Sequence, residues 1–342
     1  MSDMKKHVNF AVSALVIILL VFACIPAFAA SEKPLTLRIA HVVTEKGGEH
    51  LGSLKLKEIL EKKSGGKIIV EIYPNGSMGQ NREMIESMQA GALDMGLPAL
   101  PALGGFTDAT KVFDLLYLFN DRKEAEKVLD GEVGKSVAKS VEKSGVKIIS
   151  WWSQGFREST SNRKFVKPED LKGLKIRVMD NPLHIEAWNT LGASAIPMAF
   201  SEVLTSLQQG VLDAQENPYQ NIVQSGFDKV QKFIIETGHL YGPLPLVFSK
   251  KVWDKLTPEQ QKMIQEAADE TKIYEREAQE KINKDLRDGI VKSKTCTIVT
   301  LTPEQKNAFR AKLLPLYKKH APSTNGLLEK IYHQLGRKID FK

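Results

Sequence analysis

Three residues of this chain stand where strand-like segments end, and each is of a type that can hold an anion. Arg177 lies in "DLKGLKIRVMDNP". There Leu174, Ile176 and Val178 alternate with Lys175, Arg177 and Met179, the period-2 pattern of a half-buried strand. Periodicity leaves two readings of Arg177 open, a solvated arginine on an outer face or a side chain aimed at a ligand. Arg157 follows a glycine in "SWWSQGFRESTSNRKF", and Asn217 closes "LDAQENP" beside Asp213 and Glu216. An amide at that point either donates to a ligand beyond the strand end or shapes the turn before Pro218. Trp151 and Trp152 are adjacent in a strand, so their rings face opposite ways and at most one can line a cleft. "HVVTEKGGEH" brings together His41, Glu45, Glu49 and His50, residue types that bind metals, but at a spacing that fits no common site. They read equally as solvated loop residues or as a single pocket-facing His41. Cys296, in a strand-like tail, reads as a structural thiol.

The segments around these residues alternate strand and helix. "TLRIAHVV", "KIIVEIY" and "ALDMGLPAL" read as strands, separated by helices in "HLGSLKLKEILEKKSGG" and "NREMIESMQAG" that end on glycines. "VKIISWW" completes a first α/β lobe, and a second begins near Gly155. Its elements are the Arg177 strand, a helix in "NPLHIEAWNTLG", strands in "ASAIP", "VLDAQENP" and "KVQKFIIETGH", and a helix in "FSEVLTSLQQG". In that last helix Phe200, Val203, Leu204 and Leu207 share one face and Ser201 is placed to cap. "SMQAGALD" at Ser87 and "SLQQGVLD" at Ser206 match at Ser, Gln, Gly, Leu and Asp, so the two lobes share a design, and two such lobes imply a cleft between them. After "LPLVFSK", Thr257 to Ile290 contains no glycine or proline from Glu259 to Asp288 and reads as one helix long enough to cross both lobes. "CTIVTL" reads as a late strand and Thr302 as the cap of a further helix.

The 342 residues suit two lobes better than one core. The formal net charge of +7 is spread along the chain and is not interleaved with aromatics, which argues for a basic soluble surface and against a nucleic-acid footprint. Residues 1–29 read as a signal peptide: basic Lys5, Lys6 and His7, an apolar run, Pro26, then Ala27-Phe28-Ala29 as the cleavage site. Phe22 is bulky for a lipoprotein box at Cys24. With the leader gone Cys296 stands alone, so no internal disulfide is expected. The chain has no G-x-S-x-G, H-E-x-x-H, Walker or G-x-G-x-x-G motif, so neither an enzyme nor a cofactor or metal is expected. "GLPALPALGGF" (Gly96 to Phe106) is uncharged and reads as core or as an apolar wall at strand ends.

"DLKGLKIRV", "LGASAIPMAFSEVLTSLQQGVLDAQENP" and "IYPNGSMGQNREMIESMQAGALD" resemble the periplasmic solute-binding proteins of tripartite ATP-independent periplasmic (TRAP) transporters, and the resemblance runs from about Leu35 to the C-terminal helices. It implies a type II-like binding-protein fold, two α/β lobes hinged over an organic acid with a long helix spanning both. Lobe I takes residues 30–154 plus about 243–282, and lobe II takes 155–242 plus about 283–342. It implies that Arg177 grips the ligand carboxylate, that Arg157 assists, that Asn217 reaches the same group and that Phe200 packs on the ligand. The implied partners are the small and large membrane subunits, to which a periplasmic monomer delivers its acid. Members that bind sugar acids place polar groups after the first "LD" strand, where this chain has "MGLPALPALGG". The expectation is therefore a small or apolar-bodied monocarboxylate, with Trp151 or Trp152 available for stacking. A dicarboxylate requires a second cation, for which His41, Arg82 and Arg163 are the candidates, and a small sulfonate suits the same arginine fork. A binding module for a periplasmic sensor or chemoreceptor is the alternative.

Overall fold

Two long antiparallel strands organise the molecule. β4 (Val146–Ser161) and β8 (Phe233–Ser249) are 16 and 17 residues long and pair along most of their length. The computed structural model describes residues 33–339, so the expected signal peptide, the expected cleavage site and Cys24 lie outside the described residues. The other strands are β1 (Leu35–Ala40), β2 (Ile68–Tyr73), β3 (Met95–Gly96), β5 (Lys175–Val178), β6 (Ser194–Pro197), β7 (Ala214–Asn217) and β9 (Thr297–Thr300). Their order is β2-β1-β3-β8-β4-β7-β5-β6, with β9 on β8. β1 and β3 are parallel on one side of the long pair, and β5, β6 and β7 are mutually parallel on the other. The mixed α/β, two-lobed architecture expected from the alternation of elements is present. The segment from Thr36 onward forms one compact unit.

The long strands correct the sequence reading. "VKIISWW" and "GFREST" form one continuous strand rather than two, and "FIIETGH" continues unbroken into "LPLVFS". Alternation is lost there because nearly every residue of both strands is buried on both faces, which erases the period-2 signal. Bulges interrupt the pairing at Ser153/Gly155 and Arg157/Ser159, and Gly155 takes φ +78°, a conformation that suits glycine. "ALDMGLPAL" is also more broken than expected: only Met95–Gly96 is strand, and Leu100–Leu103 is a short helix with Pro101 in its first turn. "FSEVLTSLQQ" divides into a 3₁₀ turn (Phe200–Glu202) and a helix (Val203–Gln208), and Ser201 caps neither.

The internal repeat is a repeated turn. Gly91 and Gly210 both adopt positive φ. Ala92 N and Leu93 N donate to the Ser87 carbonyl, and Val211 N and Leu212 N donate to the Ser206 carbonyl. The aspartate that follows then clips the neighbouring parallel strand: Asp94 Oδ2 accepts from Arg38 N at 2.8 Å, and Asp213 Oδ2 from Lys175 N at 2.9 Å. Both copies thus fix a strand by its backbone, and in the second copy that strand is β5, which carries Arg177.

The helix Pro258–Ser293 is continuous over 36 residues, about 54 Å at 1.5 Å per residue, and Thr257 opens it with a capping box. Its buried Ile264, Ala267, Ala268, Thr271, Glu275 and Gln279 recur at helical spacing and form the stripe that seats it. It is anchored on both halves of the sheet. Arg276 pairs with Asp130 at 2.8 Å and donates to the Trp151 carbonyl, while Arg287 pairs with Glu236 at 2.6 Å. Gly52, on the helix Gly48–Lys63, permits its close approach: a Cβ there would lie 2.7 Å from Trp152 Cζ3 and 2.8 Å from Glu275 Cγ. Gly52→Ala is expected to cost about 1–3 kcal/mol, the usual penalty of overpacking. An unchanged urea midpoint would contradict this account of the contact. Thr302 caps the helix Pro303–His320 as its sequence indicates.

Candidate functional site

Arg177 occupies the centre of β5, opposite Ile196 of β6 and Gln215 of β7, so neighbouring backbone on both sides fixes its direction. The residue is only 3% exposed. Its Nε and Nη2 both donate to the Met198 carbonyl, at 2.9 and 2.6 Å, and among the described residues no carboxylate pairs with it. Burial pushes its pKa down to about 10, with Arg157 acting in the same direction and Glu216 and Glu202 against it. The guanidinium is therefore a cation short of negative charge. It opens into a cavity of about 190 Å³. One wall comes from Gln80, Asn81, Arg82, Glu83, Ala102 and Gly105, the other from Met179, Asp180, Met198, Ala199 and Phe200. Charged, amide and thioether groups thus surround one buried arginine.

The other expected ligand residues are placed differently. Arg157 is bound to Glu216 by Nε at 2.5 Å and Nη2 at 2.9 Å, and its Nη2 also donates to the Glu216 carbonyl at 2.6 Å and to Asn217 Oδ1 at 3.1 Å. His239 Nε2 lies 3.1 Å from Glu216 Oε2. Burial by itself would raise the Glu216 carboxyl, but Arg157 and His239 hold it well below the usual range. Asn217 also donates to Gln215 Oε1 at 2.6 Å. Arg157 and Asn217 therefore belong to a buried network next to β5, and neither lines the Arg177 cavity; only Phe200 joins Arg177 there. "QENP" does not mark Glu216 as buried, so its need for a cation, met by Arg157, shows only in the fold.

Neither tryptophan reaches the cavity. Trp151 donates Nε1 to the Gly134 carbonyl at 3.3 Å and packs edge-on against Phe113. Trp152 is fully buried against Gly52 and the long helix. Adjacent residues of β4 do face opposite ways, but both faces are packed core. His41 is also away from the cavity: its Nε2 lies 3.1 Å from His50 Nδ1, and burial, reinforced by His50, lowers its pKa to about 4. Glu49 accepts from Gln154 and Gln220 instead of facing the histidines. Among the described residues no three His, Cys, Asp or Glu side chains are grouped to hold a metal. Of the three candidate second cations, Arg163 is spent on the Asp170 and Lys172 carbonyls and His41 on His50, while Arg82 lines the cavity. Cys296 is half-buried in a small apolar cluster, which pushes its thiol up to about 11.

A polar group missed by sequence reasoning lies beside the cavity. Asn181 caps the helix Pro182–Thr190 by accepting from Leu183 N and His184 N. Asp114, which accepts from Asn181 Nδ2 at 2.9 Å, is 1% exposed, and burial pushes its carboxyl up to about 7 against the pull of Asn181 and Lys111. Because this pKa is raised from 3.8 in the unfolded chain, Asp114 contributes most to stability below pH 3.8 and loses that contribution as pH rises through 7. Wild-type melting temperature is therefore expected to fall more steeply between about pH 4 and pH 7 than that of Asp114→Asn. Parallel profiles would contradict the assignment.

Residues 39–324 match the family described as bacterial extracellular solute-binding protein, family 7 (DctP). The chain is 32% identical over 292 residues to the 2,3-diketo-L-gulonate-binding periplasmic protein YiaO of Escherichia coli, covering 85% of this chain and 88% of that protein. It is 32% identical over 295 residues to the C4-dicarboxylate-binding periplasmic protein DctP of Rhodobacter capsulatus, covering 86% and 87%. A TRAP periplasmic solute-binding protein of Shewanella oneidensis with bound succinate superposes with a TM-score of 0.85 at 27% identity, covering 88% of this chain and 99% of that one. One from Polaromonas with bound D-erythronate gives 0.82 at 31%, covering 90% and 100%. With these matches covering 85% to 90% of the chain and a buried arginine that no carboxylate pairs with at its cavity, the protein belongs to the DctP family of TRAP periplasmic solute-binding proteins, which bind organic acids and are not enzymes.

Proposed function

We propose that this protein captures a small organic acid with one carboxylate on Arg177 and its body against Phe200, Met179, Met198 and Ala102, and delivers it to the small and large TRAP membrane subunits. The observation that carries this reading is the unpaired, 3%-exposed Arg177 guanidinium at a cavity of about 190 Å³. An arginine fork matches a carboxylate in two parallel bonds, and hydrogen bonds to charged groups are worth about 1.5–3 kcal/mol each. The cavity's modest volume favours a compact acid, a monocarboxylate or a sulfonate of similar size, whose body meets the thioether, phenyl and methyl groups while any further polar atoms face Gln80, Asn81 and Arg82. A hinge near residue 155, dividing lobe I (30–154 and about 243–282) from lobe II (155–242 and about 283–342), draws support from the Ser153/Gly155 bulge.

A thermal-shift screen tests the ligand class, because a ligand that binds only the folded state raises the melting temperature. Acetate, lactate, benzoate, succinate, L-malate, D-erythronate, galactonate and methanesulfonate form a sufficient panel. Monocarboxylates are expected to stabilise most, and stabilisation by sugar acids alone would defeat this reading. Arg82 supports a second one. It lies on the opposite wall from Arg177, 3.0 Å from Glu86 and 3.9 Å from Asp180, and could turn to a second carboxylate. Succinate and malate would then lead the panel, and Arg82→Ala would remove their advantage over lactate.

A further inference from the structure

We propose that Asn181 is the tie that draws the two cavity walls together and sets the width available to the ligand, a positioning role that rests on reading the Arg177 cavity as the binding site. Asn181 sits four residues after Arg177, just beyond Met179 and Asp180, which line one wall. Its Nδ2 crosses to the opposite wall, donating to the Pro101 carbonyl at 2.9 Å and to Asp114 Oδ2 at 2.9 Å. Pro101 belongs to the turn of helix whose next residues, Ala102 and Gly105, face the cavity. The side chain is 2% exposed, and its Oδ1 is already engaged as the helix cap. Both amide hydrogens and the carbonyl oxygen are therefore used, and the cross-wall bonds come from the amide donors alone.

The opposite wall is shaped to receive the amide. A Cβ at Gly104 would lie 2.7 Å from Asn181 Nδ2 and 3.4 Å from Asp114 Oδ2, so only glycine leaves the seat open. The tie is also dry. Asp114 and Asn181 are buried, and water does not compete for the bond. An amide locked on both sides holds the walls at one spacing, and through β5 it holds Arg177 at one distance from Ala102 and Gly105. The tie stands apart from the contacts of Arg157 with Glu216 and of Arg177 with Met198.

Asn181→Asp, measured at pH 9 where Asp114 is ionised, separates this role from capping, because a carboxylate caps a helix well yet has no hydrogen for the Pro101 carbonyl or for Asp114 and faces Asp114 with like charge. Asp114→Asn is the conservative control, since its amide oxygen still accepts from Asn181. The distance between spin labels at Ser77→Cys and Lys172→Cys, both exposed positions on elements of opposite walls, reads the spacing without any ligand. Cys24 and Cys296 are replaced by Ser in all proteins. Asn181→Asp and Gly104→Ala are expected to move the distribution to longer distances and broaden it, and Asp114→Asn to keep the parent distribution. Distributions for Asn181→Asp and Gly104→Ala that superpose on the parent would overturn the tie. Binding of succinate, D-erythronate and benzoate to Arg177→Lys reads the pocket independently. If the walls part in Asn181→Asp while Arg177→Lys binds these acids as the parent does, the tie stands and the pocket reading falls. If Arg177→Lys loses binding and Asn181→Asp leaves the distances unchanged, the pocket stands and the tie falls.

Discussion

Replacing Arg177 by lysine is expected to weaken binding of the stabilising acid at least about tenfold, or ~1.4 kcal/mol, while the ligand-free protein still folds. Lysine keeps the positive charge and can still donate to the Met198 carbonyl, so the loss isolates geometry. The guanidinium presents parallel donors in a fixed plane, and an ammonium presents a point charge. In this site Nε and Nη2 are both aimed at one carbonyl, which leaves Nη1 and the open edge of the plane for the ligand. Arg177→Ala removes the charge as well and should lose more. Isothermal calorimetry decides the matter: near wild-type affinity in the lysine variant would end the two-point assignment, and near wild-type affinity in the alanine variant would move the site elsewhere.

Glu216→Ala carries the largest expected stability effect. Glu216 and Arg157 have side chains 1% and 3% exposed, and the alanine leaves a buried guanidinium with only backbone and amide oxygens for company. Breaking a buried pair from one side costs about 3–5 kcal/mol, whereas replacing both partners by apolar residues is often neutral. Chemical denaturation should therefore show a large loss for Glu216→Ala and substantial recovery in the Arg157→Met/Glu216→Leu double variant. Equal loss in the single and double variants would mean that the charges themselves, and not an orphaned one, were the source. The acid limb has a definite sign. Glu216 is held below its unfolded value of 4.5, so its contribution is complete above that pH and is lost as the pH falls toward the folded value.

The strand carrying Arg177, the helix Pro258–Ser293, the Thr302 cap and the duplicated turn were legible in sequence, because each rests on local spacing or on a residue with one strong local preference. β4 and β8 were not legible as single strands, since burial on both faces removes the alternation that marks a strand. Arg157 illustrates a different limit. Its residue type announces an anion, but whether that anion is a ligand or Glu216 depends on a pairing 59 residues away. Asn181 was not legible as a cross-wall donor, because "NP" after the strand signals a helix start fully enough to hide a second use of the same side chain. The tryptophans failed for a simpler reason: alternation assigns faces without saying which face meets solvent.

The clips made by Asp94 and Asp213 give the molecule an internal standard. One aspartate holds β1 and the other holds β5, through the same turn and nearly the same bond, at 2.8 and 2.9 Å. Only the second of these strands carries Arg177. Matched substitutions at the two positions thus compare one chemical change in two settings within a single chain. Whatever the pair shares measures the backbone clip, and whatever differs measures what the Arg38 side chain adds to the first copy alone, where its Nε also binds Asp94 at 2.9 Å.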